Sequence, residues 1–458
     1  MLVERFAPDN ILERIPGLAM AMSPELAAID RVLDDDELFR LIRDDLMRRY
    51  PHTGCAGRNS TPVEVIMRML AVRHLYNWSY QQTEHHVADS LVLRQFCRIY
   101  FHSVPDHTVL CKWAHLIQAE TLEAFNARLL HMAVADKLTR GRKIRTDGMV
   151  VATNIHHPTD SSLLADSVRV LGRTLSRARQ VLSQEGNLAK SLFRNRTRSA
   201  KQAARQVAKS GRRQADRLQT AYMRLLKTTQ ATLRQAEAVM SALQAQADDS
   251  AQALLATFQT FLPQAQQVVK QAKRRIIHGE SVPAVEKVTS IFEPHTDIIR
   301  RGKTNKPTEF GHKVWLSEVE GGFISSARIL DGNPADDQQW QPALEHHVQQ
   351  FGHPPWQASA DRGVHSVANE QYARTLGVKR VILPQPGHKS EERRQHEHQR
   401  WFRRSRRYHA GIEGRISVIS RKHGLDRCRD RGSPSFARWI GWGVIANNLC
   451  SMARTHAI

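Results

Sequence analysis

The sequence predicts an α/β protein: a mixed β-sheet flanked by helices, preceded by a helical region and interrupted by a long helical insertion. Three observations predict it. Apolar residues recur at three- and four-residue steps through residues 1–137; the same spacing, in a seam-like form, fills residues 161–280. Strand-like and helix-like runs then alternate through residues 281–458, as a sheet with flanking helices requires.

In chain order, the first part mixes short helical patterns with a loop, PHTGCAGRNSTP, whose Pro62 suits the first turn of the helix beginning VEVIMRMLAVRHL. NWSYQQTEHHVADSLVLRQFCRIY and VPDHTVLCKWAHLIQAETLEAFNARLLHMAVADK continue the helical pattern, with Asp106 or Thr108 as a helix cap. A recognition helix needs polar side chains that reach base edges, and Gln81, Gln82, Arg94 and Lys112 are the candidates. The alternative is a helical bundle that touches no groove.

Residues 138–160 hold the first strand of the sheet. In the insertion, Leu164, Val168, Leu171, Leu175, Ala178 and Leu182 alternate steps of four and three, and similar spacing returns at Leu218, Tyr222, Leu225, Leu233 and Leu243. Breaks are expected near Gly186, Gly211 and Pro263. This seam is coiled-coil-like, either internal or joining two protomers. Basic residues outnumber acidic ones about ten to one between Lys190 and Arg217, which reads either as a solvated helix face or as a phosphate-tracking surface. Beyond it, VTSIFEP, FGHKVWLSEV, GFISSARIL, WQASA and VKRVILP read as strands, with PADDQQWQPALEHHVQQF and VANEQYARTL as helices.

Three acidic residues stand out in this frame. Asp147 lies in the strand pattern KIRTDGMVVATNI, Asp361 ends the run WQASA, and Glu413 lies in a helical pattern with Ile412, Ile416 and Ile419 on one face. Two strand aspartates and one helix glutamate suit a site that holds a pair of divalent cations and displaces groups at phosphorus. Their separation of roughly 200 residues is no obstacle, because the insertion leaves and re-enters the sheet. Carboxylate oxygens are what Mg²⁺ prefers.

The stretches TDGMVVATNIHHPTDSSLLADSVRVL, RRGKTNKPTEFGHKVWLSE, DGNPADDQQWQPALE, ADRGVHS and GIEGRISVISRKHGLDRCR resemble, in order, the successive blocks of bacterial insertion-sequence transposases of the DDE class. The N-terminal helical region resembles that family's DNA-binding region. The resemblance implies a ribonuclease-H-like catalytic domain, Asp147, Asp361 and Glu413 as catalytic and metal-holding residues, and Mg²⁺ as cofactor with Mn²⁺ as a substitute. It further implies cutting at terminal inverted repeats, joining of the freed 3′-hydroxyl to target DNA, and a homodimer on paired ends. One departure is plain: His409 and Ser420 stand where many relatives place an arginine and a lysine around the glutamate.

A formal charge of +22 and a pI near 10.3 call for a polyanionic partner. With no bilayer-length apolar run and no secretory leader, DNA or RNA is favoured over a membrane; the resemblance makes the partner double-stranded DNA and implies a bacterial cytoplasmic, nucleoid-associated location. The five cysteines are scattered and never in a CxxC spacing, as in a reduced protein without a zinc site. DNA-binding candidates are Arg300, Arg301, Lys303 and Lys306 in RRGKTNKP, as that block of the family implies, with an exposed basic loop as the alternative; Arg403 and Arg404 in RWFRRSRRYHAGIEGR; and Arg415 and Lys422 beyond the glutamate. RGKTNKP is no P-loop, since Asp297 stands where its first glycine belongs, and no ATP is expected. Trp401, Phe402 and Tyr408 suit either an unstacked base or the core. Asp160 reads as a helix cap, and the pairs His156/His157 and His396/His398 lack further ligands at zinc-like spacing. Two alternatives share these features: a metal-dependent nuclease on the same fold, and a non-catalytic DNA-binding descendant of a transposase.

Overall fold

The computed structural model describes residues 1–9, 22–49, 52, 57–182, 190–210, 215–246, 248–300 and 307–456. The chain forms two compact units, one of residues 1–153 with 312–458 and one of residues 154–311. No helix among the described residues is long and apolar enough to cross a membrane.

Along the first unit run α1 (Pro24–Val32), α2 (Asp36–Met47), α3 (Val63–Leu75), α4 (Tyr80–Asp89), α5 (Leu91–Phe96), α6 (His107–Ala114) and α7 (Ala119–Ala135). Their starts follow from local chemistry: Asp35 and Ser90 cap α2 and α5, Asp106 caps α6, and Ser79 with Gln82 forms a reciprocal capping box on α4. Every residue of α3 is buried, polar ones included. Its Arg68 is held by Asp30 (2.7 Å), Asp34 and Glu64 (3.2 Å), and its Arg73 by Asp430 (2.8 Å), so each buried cation has the partner that its desolvation demands.

β1 (Lys143–Ala152) closes this stretch, and the chain enters the second unit: α8 (Asp160–Leu182), α9 (Thr197–Lys209), α10 (Ala215–Gln244), α11 (Asp249–Ile276) and the short β2 (Asp297–Ile299). The expected seam is buried from Leu164 to Leu182, and it packs on Leu225, Leu233, Leu243, Leu254 and Phe258 of α10 and α11. The seam is therefore satisfied inside one chain. Three details differ from the expectation. Pro263 sits inside α11 without ending it, because Leu262, Ala265 and Val268 anchor both sides of the missing N–H in the core; the break falls before Asp248, which caps α11. Gly186 and Gly211 lie outside the described residues. Asp160 is no cap: Thr159 accepts from the Ser162 N–H (3.1 Å), while the buried Asp160 pairs with Arg275 (2.6 Å) and Gln271 (3.1 Å) and ties α8 to α11. VTSIFEP is not a strand, since the Ser290 hydroxyl accepts from the N–H groups of Phe292 and Glu293 and turns the backbone there.

β3 (Glu309–Val319) crosses back, and its first residues pair with β2 antiparallel. β4 (Phe323–Ile329), α12 (Trp340–Phe351), β5 (Gln357–Ser359), α13 (Val367–Thr375), β6 (Arg380–Ile382), α14 (Glu391–His398), α15 (Arg400–His423) and α16 (Ser433–His456) follow. β1 lies between β3 and β5, β6 flanks β5, and β4 pairs with β3. β5 and β6 are parallel, as are β1 and β5; β3 and β4 are antiparallel. The sheet is thus mixed, with one core on the α12 and α13 side (Ile144, Trp340, Leu344, Ala358) and another on the α15 and α16 side (Met149, Val151, Ile419, Trp439).

Residues 1–137 are not a unit by themselves. Leu70, Phe125, Leu129 and their neighbours share one core with Phe323 of β4 and with Trp442, Ile445, Leu449 and Met452 of α16. α16 is apolar around most of its girth and is enclosed on several sides.

Three buried histidines make this unit sensitive to acid. Burial pushes His347 and His423 down to about 4 and holds His74 well below its usual range. Between an ordinary histidine value of about 6.5 and these depressed values, the unfolded chain binds protons that the folded chain refuses, so stability falls as pH is lowered through that window and is flat above it. Denaturant melts from pH 8 to 4.5 are expected to show this slope. His347→Gln keeps a donor for the Gly141 carbonyl (2.9 Å from Nε2) and is expected to make the slope shallower.

Candidate active site

β1 and β5 set the first two carboxylates side by side. Their registered pairs are Lys143 with Gln357, Ile144 with Ala358 and Arg145 with Ser359; Asp147 and Asp361 each lie two residues beyond the last pair. Asp147 is half-buried, and its Oδ1 accepts from the Gly148 N–H (2.7 Å). Asp361 heads the short turn that follows β5, with its side chain 68% exposed. Side chains alternate along a strand, so Asp147 shares a face with Arg145, Met149 and Val151. Met149 and Val151 pack on Ile419 and Trp439, which identifies this as the face covered by α15 and α16.

α15 carries Glu413. Ile412 and Ile419 are buried and Ile416 is half-buried, as the sequence pattern requires, leaving Glu413 exposed. One turn earlier on the same stripe, the buried His409 lies with Nε2 3.1 Å from Asp361 Oδ1. The helix that bears the glutamate thus touches the second aspartate through a histidine.

What holds α15 over β1 is a buried carboxylate. Glu318 of β3, 1% exposed, accepts from Arg145 at 2.7 and 2.8 Å and from Arg415 at 3.2 Å. Arg145 also donates to the Tyr408 carbonyl and lies over the Tyr408 ring at 4.7 Å; burial pushes that tyrosine hydroxyl upward. Arg415 donates to Asn447 of α16 (3.1 Å). Both guanidiniums need bare backbone beside them. A Cβ at Gly411 would collide with Arg145, and one at Gly322, whose φ is +81°, would collide with Arg415.

The remaining candidates scatter. Arg415 is engaged inside the protein, by Glu318 and Asn447. Lys422 is half-exposed, 3.6 Å from Glu25 and from the Cys450 sulfur. Arg403 and Arg404 are exposed, as are Arg406 and Arg407. Arg406 stands seven residues before Glu413 and shares its helical stripe, whereas Arg403, ten residues before it, lies about 80° round the helix. Arg300 is exposed in the second unit; Arg301, Lys303 and Lys306 lie outside the described residues. Phe402 is core, and Trp401 is half-buried against His396 and Phe402. In the N-terminal helices Gln82 is occupied by its capping box and Arg94 by the carbonyls of Tyr100 and His102 (2.9 and 2.6 Å), while Gln81 and Lys112 are exposed.

Among the described residues, the three ligand-type side chains whose atoms approach within 4.8 Å of one another are Glu84, Asp106 and His107. Glu84 accepts from the His107 backbone N–H (2.8 Å) and Asp106 caps α6, so their work is structural. Asp147, Asp361 and Glu413 are not drawn that close together. Their donor chemistry, carboxylate oxygens alone, is that of a hard cation such as Mg²⁺.

Sequence reasoning missed Arg145, Glu318 and the contact of His409 with Asp361. The available signal was a glutamate inside FGHKVWLSEV, a strand apolar enough to be buried on both faces and therefore in need of a cation. Removing that carboxylate leaves two guanidiniums without their shared partner. Glu318→Ala is expected to destabilise the fold by about 3–5 kcal/mol in urea melts, and Gly411→Ala, which displaces Arg145, is expected to shift the melt in the same direction.

Comparison with curated proteins and with solved structures gives no match. Residues 18–116, which hold α1 to α6, match the family described as Transposase domain (DUF772). That match supports a transposase, an enzyme that cuts and joins DNA.

Proposed function

We propose that this chain is a transposase of the DDE class with a ribonuclease-H-like catalytic domain. On this reading it binds terminal inverted repeats, cuts at the element ends and joins the freed 3′-hydroxyl to target DNA. The observation that carries the reading is the register of β1 against β5: two aspartates, 214 positions apart in the chain, stand at equivalent points past the last paired residues, beneath the helix that bears Glu413. The mixed sheet with helices on both faces and the transposase match at residues 18–116 support it independently.

On this reading Asp147, Asp361 and Glu413 would hold Mg²⁺, with Mn²⁺ as a substitute. Bound there, divalent ions supply Lewis-acid stabilisation to the attacking and leaving oxygens. His409 is a positioning residue, fixing one oxygen of Asp361 from the helix that carries Glu413. Arg406, on the stripe of Glu413, and the exposed Arg403 and Arg404 before it meet backbone phosphates leading to the scissile bond. In the first step a water oxygen bonds to phosphorus as the P–O3′ bond breaks, leaving a 3′-hydroxyl. In the second that hydroxyl oxygen bonds to a target phosphorus and displaces the target's own 3′-oxygen. One P–O bond forms and one breaks each time, so a single set of carboxylates serves both, and no protein nucleophile is required. Joining two ends calls for two copies of the chain. End recognition falls to the N-terminal helices, with Gln81 and Lys112 exposed to reach DNA.

The test uses duplexes carrying the DNA that flanks the encoding locus. Asp147→Asn, Asp361→Asn and Glu413→Gln are each expected to lower strand cutting by orders of magnitude while DNA binding persists. Glu392→Gln, at an exposed position in the first turn of α14, serves as the charge-matched control. Full cutting by the Asp147 variant, or cutting indifferent to a chelator, would sink the assignment. Cutting without joining would leave a nuclease, and no cutting by the intact chain would leave a DNA-binding protein.

A further inference from the structure

The second unit holds a disproportionate share of the positive charge. Residues 154–311 contain 26 lysines and arginines against 12 aspartates and glutamates, so this third of the chain supplies +14 of the net +22. The excess is ordered. On α9, Ala200, Ala203 and Val207 are buried in the packing of the unit, which fixes the helix's rotation. The opposite face then presents Arg198, Lys201, Arg205 and Lys209, at steps of three, four and four, all exposed. α9 contains no acidic residue, and among the described residues none of these four cations has a carboxylate within 4.0 Å. That is unlike Arg68, Arg145 or Arg275, each of which has a carboxylate partner.

The cationic field continues past the stripe. Exposed Arg194 precedes α9, and Arg196 next to it is pushed below its usual range, first by burial and then by repulsion from Arg194 and from Arg234 of α10. Arg196 donates to the neutral Gln235. A surface that crowds guanidiniums against one another, and supplies amides where it could supply carboxylates, is short of anions. Four cations on a rigid helix at a rise of about 1.5 Å per residue cover roughly 16 Å, a length over which duplex DNA offers several phosphates per strand.

We propose that the outer face of α9, through Arg198, Lys201, Arg205 and Lys209, is a second DNA-binding surface that grips the phosphate backbone of duplex DNA without reading its sequence. The proposal rests on the reading of the chain as an enzyme of duplex DNA. It adds a binding element in the inserted unit to those assigned to the N-terminal helices and to α15. No base-edge reader accompanies the stripe: its neighbours Gln202 and Gln206 lie to one side, and the four cations make the ridge.

The experiment measures binding of the full-length chain to a random-sequence 30-mer duplex across a salt series, in chelator, with Asp147→Asn present so that cutting plays no part. Changing Arg198, Lys201, Arg205 and Lys209 together to glutamine preserves helix propensity and length, and a thermal melt checks that the fold survives. Each phosphate that the protein no longer neutralises lowers the salt slope by about 0.9, so losing four is expected to lower the slope by about 3.6, with affinity at 50 mM salt down by at least tenfold. Gln202→Ala with Gln206→Ala is expected to leave both unchanged. An unaltered slope in the quadruple variant would overturn the proposal and leave a solvated helix face. An equal loss of affinity for polyglutamate would overturn it too, replacing DNA by any polyanion. Failure of the active-site assignment would show separately, as cutting that survives in the Asp147 variant.

Discussion

The buried carboxylate of Glu318 is the constraint on which the geometry of the candidate site depends. A lone carboxylate in that position is costly enough to be excluded, so its presence commits two arginines, one from a strand and one from a helix, to meet there. Arg145 lies two residues before Asp147 and Arg415 two residues after Glu413. Because successive strand residues of one face are two apart, anchoring Arg145 anchors Asp147. Because two helix residues are about 200° apart, turning Arg415 inward turns Glu413 outward. One ion cluster therefore fixes the register of the helix on the strand and the outward aim of its glutamate, and the glycines at 322 and 411 exist in the structure as clearances for it.

A second polar device joins the N-terminal helices to the sheet. Asn448 of α16 donates to the Ile324 carbonyl (2.9 Å) and accepts from the Ile324 N–H (2.8 Å), as a neighbouring strand would, and it also donates to Asn126 of α7 (2.7 Å). β4 is thus an edge strand whose Ile324 backbone groups are satisfied by side-chain amides. The helices that match the transposase family share their core with β4 and α16, and they lie in one compact unit with the strands that bear the two aspartates. Truncation at residue 137 would strip α16 of its packing partners.

The periodic parts of this fold were legible in the sequence, and the single long-range contacts were not. The seam from Leu164 to Leu182, the strands FGHKVWLSEV and GFISSARIL, and the inward face of Ile412, Ile416 and Ile419 each rest on repeats that a local rule reads. The neighbouring placement of Asp147 and Asp361 followed from expecting both on strands of one sheet. What a local rule cannot see is which distant charge a residue will meet. Asp160 has the look of a cap until Arg275 arrives from 115 positions away, and Arg415 has the look of a phosphate ligand until Glu318 claims it from 97. Pro263 misled for the opposite reason: its local effect is real, but the surrounding core outweighs it.

The position of the inserted unit has a consequence for synthesis. β1 ends at Ala152, and its sheet neighbour β3 does not begin until Glu309. At roughly 5–20 residues per second, a ribosome needs on the order of ten to thirty seconds to deliver the missing strand. For that interval the apolar side chains of β1 have no sheet to join, while α8 to α11, whose packing is among themselves, can fold at once. A folded insert also stands in for a long flexible loop and so reduces the entropy lost when β3 finally returns to β1. The inserted unit can thus fold before the sheet that flanks it in sequence, leaving the strand that bears Asp147 without its β3 partner for a time set by the length of the insert.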